Sequence, residues 1–138
     1  MIKRIGALSR NPRKEVTSKA KYYFYDVGVR NAIISQFNEL ADRNDTGNLF
    51  ENFIVMERLK ANAYLNRFTQ SYFWRTYDSQ EVDLVEETNG EIHGYEVKWS
   101  ETRKVKTPTA WKAIYPGALI TLVNRDNYLS FILKSKKK

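Results

Sequence analysis

Two carboxylates and an amine, Asp83, Glu96 and Lys98, interrupt the apolar positions of SQEVDLVEETNGEIHGYEVKWS, residues 79–100. The stretch reads as two strands joined at Asn89-Gly90, a dipeptide suited to a tight hairpin turn. Alternation puts Ile92, Gly94, Glu96 and Lys98 on one face of the second strand, and His93, Tyr95, Val97 and Trp99 on the other. On the first strand it puts Glu81, Asp83 and Val85 opposite Val82 and Leu84. Such a turn sets residues whose numbers add to about 179 against each other, so Asp83 is expected to face Glu96.

Facing carboxylates repel by about 4 kcal/mol at ~4 Å where the effective dielectric is ~20. Three arrangements relieve this. One carboxyl keeps a proton, a cationic side chain comes between them, or a metal ion does. Lys98, two positions beyond Glu96 on the same face, supplies the second. Carboxylate and backbone carbonyl oxygens are the ligands that Mg²⁺ and Mn²⁺ prefer, which opens the third. The plainer reading is a solvated strand face, because antiparallel sheets often turn one charged face to water.

Whatever these residues do, the surrounding elements must position them. MIKRIGAL alternates like a strand from its first residue, and SRNPRKEVTSKAK, polar, basic and Pro-containing, reads as a mobile loop. KYYFYDV reads as an aromatic strand, and Asp26 as the N-cap of a short helix, VGVRNAIISQF. NELADRNDTG is a second loop. NLFENFIVMERLKANAYLNR then places Leu49, Phe50, Phe53, Ile54, Ala61 and Leu65 at helical spacing. SYFWRTYD, EVDLVEET and EIHGYEVKWS read as three strands. TPTAWKAIY is expected to form a helix capped by Thr107 with Pro108 at its first position, and Pro116-Gly117 ends it. ALITLVN and YLSFIL read as two further strands. From residue 47 the expected core order is helix, strand, strand, strand, helix, strand, which implies a mixed sheet flanked by helices in an α/β fold.

An Asp on one strand, Glu-Val-Lys on the next, and this element order resemble the PD-(D/E)xK nuclease superfamily. The resemblance implies a restriction-endonuclease-like fold and a divalent ion, Mg²⁺ or Mn²⁺, held by Asp83, Glu96 and the Val97 carbonyl. Lys98 would orient the attacking water or stabilise the charged phosphorus centre. The helix glutamate that completes such a site would be Glu51, at the edge of the apolar stripe. Glu57 is the competitor, near the centre of that stripe, where a charge needs a partner. A second resemblance spans nearly the whole chain. KYYFYDVGVRNAI, GNLFENFIVMERLK, YFWRTYDSQEVDLVEE and YEVKWS look like the C-terminal domain of a family of bacterial and archaeal AAA-type ATPases. That likeness implies that residues 1–44 join a preceding ATPase domain and that residues 45–133 form the nuclease-like core; the lysine run of residues 134–138 reads as a basic disordered tail. It leaves two readings: Mg²⁺-dependent phosphodiester hydrolysis of DNA, or a non-catalytic module that binds DNA or docks on and regulates its ATPase. The chain has no G-x-x-x-x-G-K-[ST] motif, so nucleotide binding is not assigned to it.

Composition narrows the classes further. At 138 residues with no cysteine, the chain has the size of one domain and cannot use disulfides, thiolate metal sites or a cysteine nucleophile. Its formal charge of +7 favours an anionic partner, although removing the four lysines of the terminal KSKKK leaves only +3. No segment has the apolar length of a signal peptide or a membrane span, which gives a cytoplasmic expectation. His93, the only histidine, is expected to be structural and to face away from the acids. Trp74, Tyr77, Trp99 and Trp111 suit a core or base stacking, and Arg10, Arg13, Lys14, Lys19 and Lys21 suit a phosphate backbone, solvent or an acidic partner.

Overall fold

The computed structural model describes residues 2–33, 38–39, 44–100 and 106–133. Two strands, β1 (Ile2–Gly6) and β2 (Ala20–Phe24), pair antiparallel and lead into α1 (Val27–Ile33). The long helix α2 (Thr46–Tyr64) is followed by β3 (Gln70–Arg75), β4 (Glu81–Thr88) and β5 (Glu91–Val97). Then come α3 (Thr109–Ile114), β6 (Ile120–Val123) and α4 (Tyr128–Leu133). The main sheet has the order β3-β4-β5-β6, antiparallel except for β5 and β6, which run parallel through the α3 crossover. It is therefore a mixed four-stranded sheet flanked by helices, and from α2 to β6 the elements come in the expected order.

Each sheet face has its own apolar layer. On one face, Phe50, Ile54, Val55 and Met56 of α2 meet Phe73, Leu84 and Val97 of the sheet, with Tyr128, Phe131 and Ile132 of α4 beside them. On the other, Trp111 and Tyr115 pack on Trp74, Val82 and Val85. The indoles of Trp74 and Trp111 meet edge to face at 5.3 Å, so both are core residues; Tyr77 is exposed and Trp99 half-buried against Phe50. Gly94 permits this closeness: a Cβ there would lie 3.0 Å from Val82 and 3.3 Å from Trp111.

Several local expectations hold. Asn89 and Gly90 take φ of 52° and 81°, and the hairpin keeps the expected register, with Leu84 opposite Tyr95 and Thr88 opposite Glu91. The Asp26 carboxylate accepts the amides of Gly28 and Val29 at the start of α1; residues 34–37 of the expected helix lie outside the described ones, as do Met1 and the tail 134–138.

Four expectations need correction. YLSFIL is helix α4, not a strand, because Tyr128, Phe131 and Ile132 bury one side at i, i+3, i+4 after an interlocked Asn124–Asn127 turn. α3 begins at Thr109, and the Gln80 side chain, not Thr107, takes the Ala110 amide. The basic loop after β1 is tied to the outer edge of β3. Leu8 donates to Phe73, Val16 to Arg75, and the Tyr77 amide to Lys14, while fully buried Glu15 accepts the amides of Arg10 and Asn11, the Trp74 indole and the Tyr115 hydroxyl. Finally, α2 is buried on more than one stripe, since the β1–β2 hairpin packs on it too: Asn52 bonds both backbone groups of Phe24 at 2.8–2.9 Å. Among the described residues, no helix is long and apolar enough to cross a membrane.

Candidate active site

The hairpin alternation breaks where it matters most. Between the pairs Tyr72–Val85 and Trp74–Val82, β4 carries one residue more than β3, a β-bulge. Val82 and Val85 consequently share a face although three apart, and Leu84 packs on the other with Val55 and Met56. The expected grouping of Val85 with Asp83, opposite Val82 and Leu84, is thus replaced. Asp83 sits in the bulge. Beyond the Leu84–Tyr95 pair its Oδ2 takes the Val97 amide at 2.8 Å, filling a place the β4 backbone leaves. The amide and carbonyl of one strand residue point to the same side, so the Val97 carbonyl also lies on the Asp83 side of β5.

Asp83 and Glu96 do come together, both carboxylates lying within 3.8 Å of Lys98 Nζ. Burial, then the charge of Asp83, pushes the Glu96 carboxyl up to about 8, while Lys98 pulls the other way. Lys98 stands at the mouth, its Nζ 3.8 Å from Asp83 and 3.7 Å from Glu96. Burial alone would lower its pKa, but the carboxylates of Asp83, Glu96 and Glu51 raise it. The sequence left three ways to relieve two facing acids; here an amine stands beside both, and the upward push on Glu96 favours its protonated form.

Glu51 reaches the same cavity from the first turns of α2. Its Oε2 accepts the Tyr23 hydroxyl at 2.6 Å and lies 3.5 Å from Lys21 Nζ. Burial raises its pKa against the pull of Lys21. Glu57 does not reach it. That side chain is not at the centre of the buried stripe but at the surface, paired with Lys60 at 3.1 Å. His93 lies away from the acids, stacked on Tyr95 and bonded to Thr121.

Three participants were not assigned to the site by the sequence. Lys21, grouped there with the loop cations, belongs to β2, and its Nζ lies 3.0 Å from Glu81, 3.5 Å from Glu51 and 3.7 Å from Asp83. Glu81 is held by Lys21 and by Arg75 at 3.1 Å; burial would raise its pKa, but these cations lower it. Tyr23 is pushed upward by burial and the neighbouring Glu51. The signals were partial: Glu81 shares the parity of Asp83, and Lys21 that of Tyr23, but nothing in the chain announced where β2 docks.

The cavity holds about 540 Å³ and is lined by Lys21, Tyr23, Glu51, Glu81, Asp83 and Lys98, among others. A neighbouring hollow of about 530 Å³ shares Asn48, Glu51 and Lys98 with it and extends to Val97 and Trp99. The donors are carboxylate and carbonyl oxygens, the kind a hard divalent ion takes, and the Lys21 ammonium already stands at a cation's place among three of them. As they stand, the described residues contain no group of three His, Asp or Glu side chains set to hold a metal.

No curated protein and no solved structure matches the chain. One family model does, over residues 46–134, from α2 to just past α4. Since that is well over half of its length, the chain belongs to the DUF4143 family, a domain of unknown function.

Proposed function

We propose that this end of the sheet is a phosphodiester-hydrolysing site acting on DNA, on a restriction-endonuclease-like domain that follows an AAA-type ATPase domain in a cytoplasmic protein. The observation that carries the reading is the meeting of Asp83, Lys98 and Glu51 at one polar cavity, with Glu96 behind Lys98 at 3.7 Å. Asp83, Glu96 and the Val97 carbonyl would hold Mg²⁺ or Mn²⁺, with Glu51 next to them. Such an ion, when bound, polarises the phosphate, acidifies a water and neutralises the leaving oxygen. The chain's own residues do the rest. The Val97 amide fixes the Asp83 carboxylate, and the Tyr23 hydroxyl fixes Glu51, so little reorganisation of these two acids remains for the reaction. Lys98, half-exposed at the mouth, meets charge developing on the phosphate.

A second reading has an observation of its own. Lys21 and Lys98 already accompany the acids, as they would in a non-catalytic DNA-binding or ATPase-docking module that retains the fold. Calorimetry decides between the two. Mn²⁺ should bind the wild-type protein, and Asp83→Asn and Glu96→Gln should each remove that binding; unchanged binding in both removes the proposed centre. With Mn²⁺ present, plasmid DNA should be nicked or cut. Retardation of DNA in gels that weakens steeply with salt, with no cutting under any metal, supports the module instead.

A further inference from the structure

Lys21 is the least expected member of the site. It comes from the β1–β2 hairpin, outside the matched residues 46–134, and yet its ammonium lies within 3.7 Å of three carboxylates carried by α2 and β4. Its position is built. Ile5, its partner across the ladder, and Tyr23, two residues on, are buried with Val55, Met56, Phe73 and Leu84, which anchors the hairpin on both sides of the lysine. The Nζ also lies over the Phe73 ring at 5.7 Å. Removing such an amine from water is unfavourable unless carboxylates surround it, and here they do.

Charge then limits what else the cavity can take. Glu51, Glu81 and Asp83 face Lys21, with Arg75 on Glu81 and Lys98 on Asp83. A divalent ion held by Asp83 beside Glu51 would share both carboxylates with the Lys21 ammonium, close enough for the two like charges to repel strongly. The Lys21 stem is four carbons long and can swing out past Tyr22, which is exposed at the cavity rim.

We propose that Lys21 is a resident cation of the site. Its ammonium and a divalent metal ion exclude each other, so the N-terminal hairpin, through this one side chain, sets how readily the acidic centre loads. The proposal rests on the metal-site reading above and adds a positioning residue to it.

Mn²⁺ titration of the wild type and of Lys21→Met tests this, followed by calorimetry and by Mn²⁺ electron paramagnetic resonance. The variant should bind roughly tenfold tighter or more, the lower end of the range over which groups beside metal ligands tune affinity. A displaced amine is also a reactive one: saturating Mn²⁺ should increase acylation of Lys21 in the wild type, read by peptide mass spectrometry, while exposed Lys112 stays unchanged. Equal or weaker binding in a folded Lys21→Met variant overturns the proposal, as does Lys21 acylation that Mn²⁺ leaves unaltered. If the methionine variant fails to fold, Lys21→Gln, which keeps a donor but removes the charge, is read by the same outcomes. The two failures separate cleanly. Wild-type binding that Asp83→Asn removes but Lys21→Met does not tighten sinks this inference alone; no Mn²⁺ binding in any form sinks the metal centre and the inference with it.

Discussion

Replacing Arg58 by methionine is expected to destabilise the protein by about 3–5 kcal/mol, the range for breaking one side of a buried ion pair. Its Nε and Nη2 each donate to a Glu86 carboxylate oxygen at 2.8 Å, and its Nη1 donates to the Phe131 carbonyl at 2.6 Å. Both partners are nearly enclosed, with 12% and 7% of their side chains exposed. One guanidinium thus ties α2 to β4 and α4, and it also lies over the Phe131 ring. Without it Glu86 loses both guanidinium donors and keeps the Asn62 amide, at 2.9 Å, in a place far from water. Burial alone would raise the Glu86 pKa, but Arg58, then Asn62, outweigh it and hold it below the ordinary value. A depressed carboxyl contributes stability that is complete above its unfolded pKa and disappears as pH falls through the folded one. The gap between wild type and variant in urea unfolding should therefore be widest near neutrality and shrink below about pH 4. A gap under about 1 kcal/mol at pH 7 contradicts this account. Adding Glu86→Leu to the variant should recover most of the loss, since the stranded charge is then gone.

Lys98→Met should lower the rate of Mn²⁺-dependent DNA cleavage by about 10²–10³-fold, the effect of deleting one donor aimed at developing charge. The Lys98 side chain is 53% exposed, so removing its charge should change stability little. It stands 3.7–3.8 Å from Glu96 and Asp83, near enough to act at their edge. Because this role is exercised on charge that appears during the reaction, kcat should fall while KM stays close to the wild-type value. Mn²⁺ affinity should not weaken, since a positive neighbour has been taken away. Cleavage that survives undiminished in the purified variant would show that Lys98 has no part in the chemistry.

Legibility in the sequence followed the range of the interaction. Asn89-Gly90 is a local signal, and the register it implied between β4 and β5 is the one found, which brought Asp83 towards Glu96. The bulge at Asp83 is not local. It arises from how β3 pairs with the other side of β4, and neither Asp83 nor Leu84 is a residue type that marks one. Glu51 could be singled out, but the helical stripe behind that choice was incomplete. Asn52 and Asn62 are polar in sequence and yet buried, since Phe24 and Glu86 satisfy them. Their burial turns the buried face and leaves Glu57 at the surface. α4 spans six residues, too few for periodicity to separate helix from strand. Lys21 shows the widest gap: its type and parity were plain, while its place depends on a hairpin folding back across α2 and β3.

The segment between β1 and β2 has a practical bearing on how the family domain can be handled alone. Residues 8–16 lie along β3, and Glu15 receives the indole N–H of Trp74. A fragment trimmed to residues 46–134 would present a naked strand border and a tryptophan whose polar group has lost its acceptor. Such a border is adhesive towards other chains. The matched unit is in that sense shorter than the unit that covers its own sheet border.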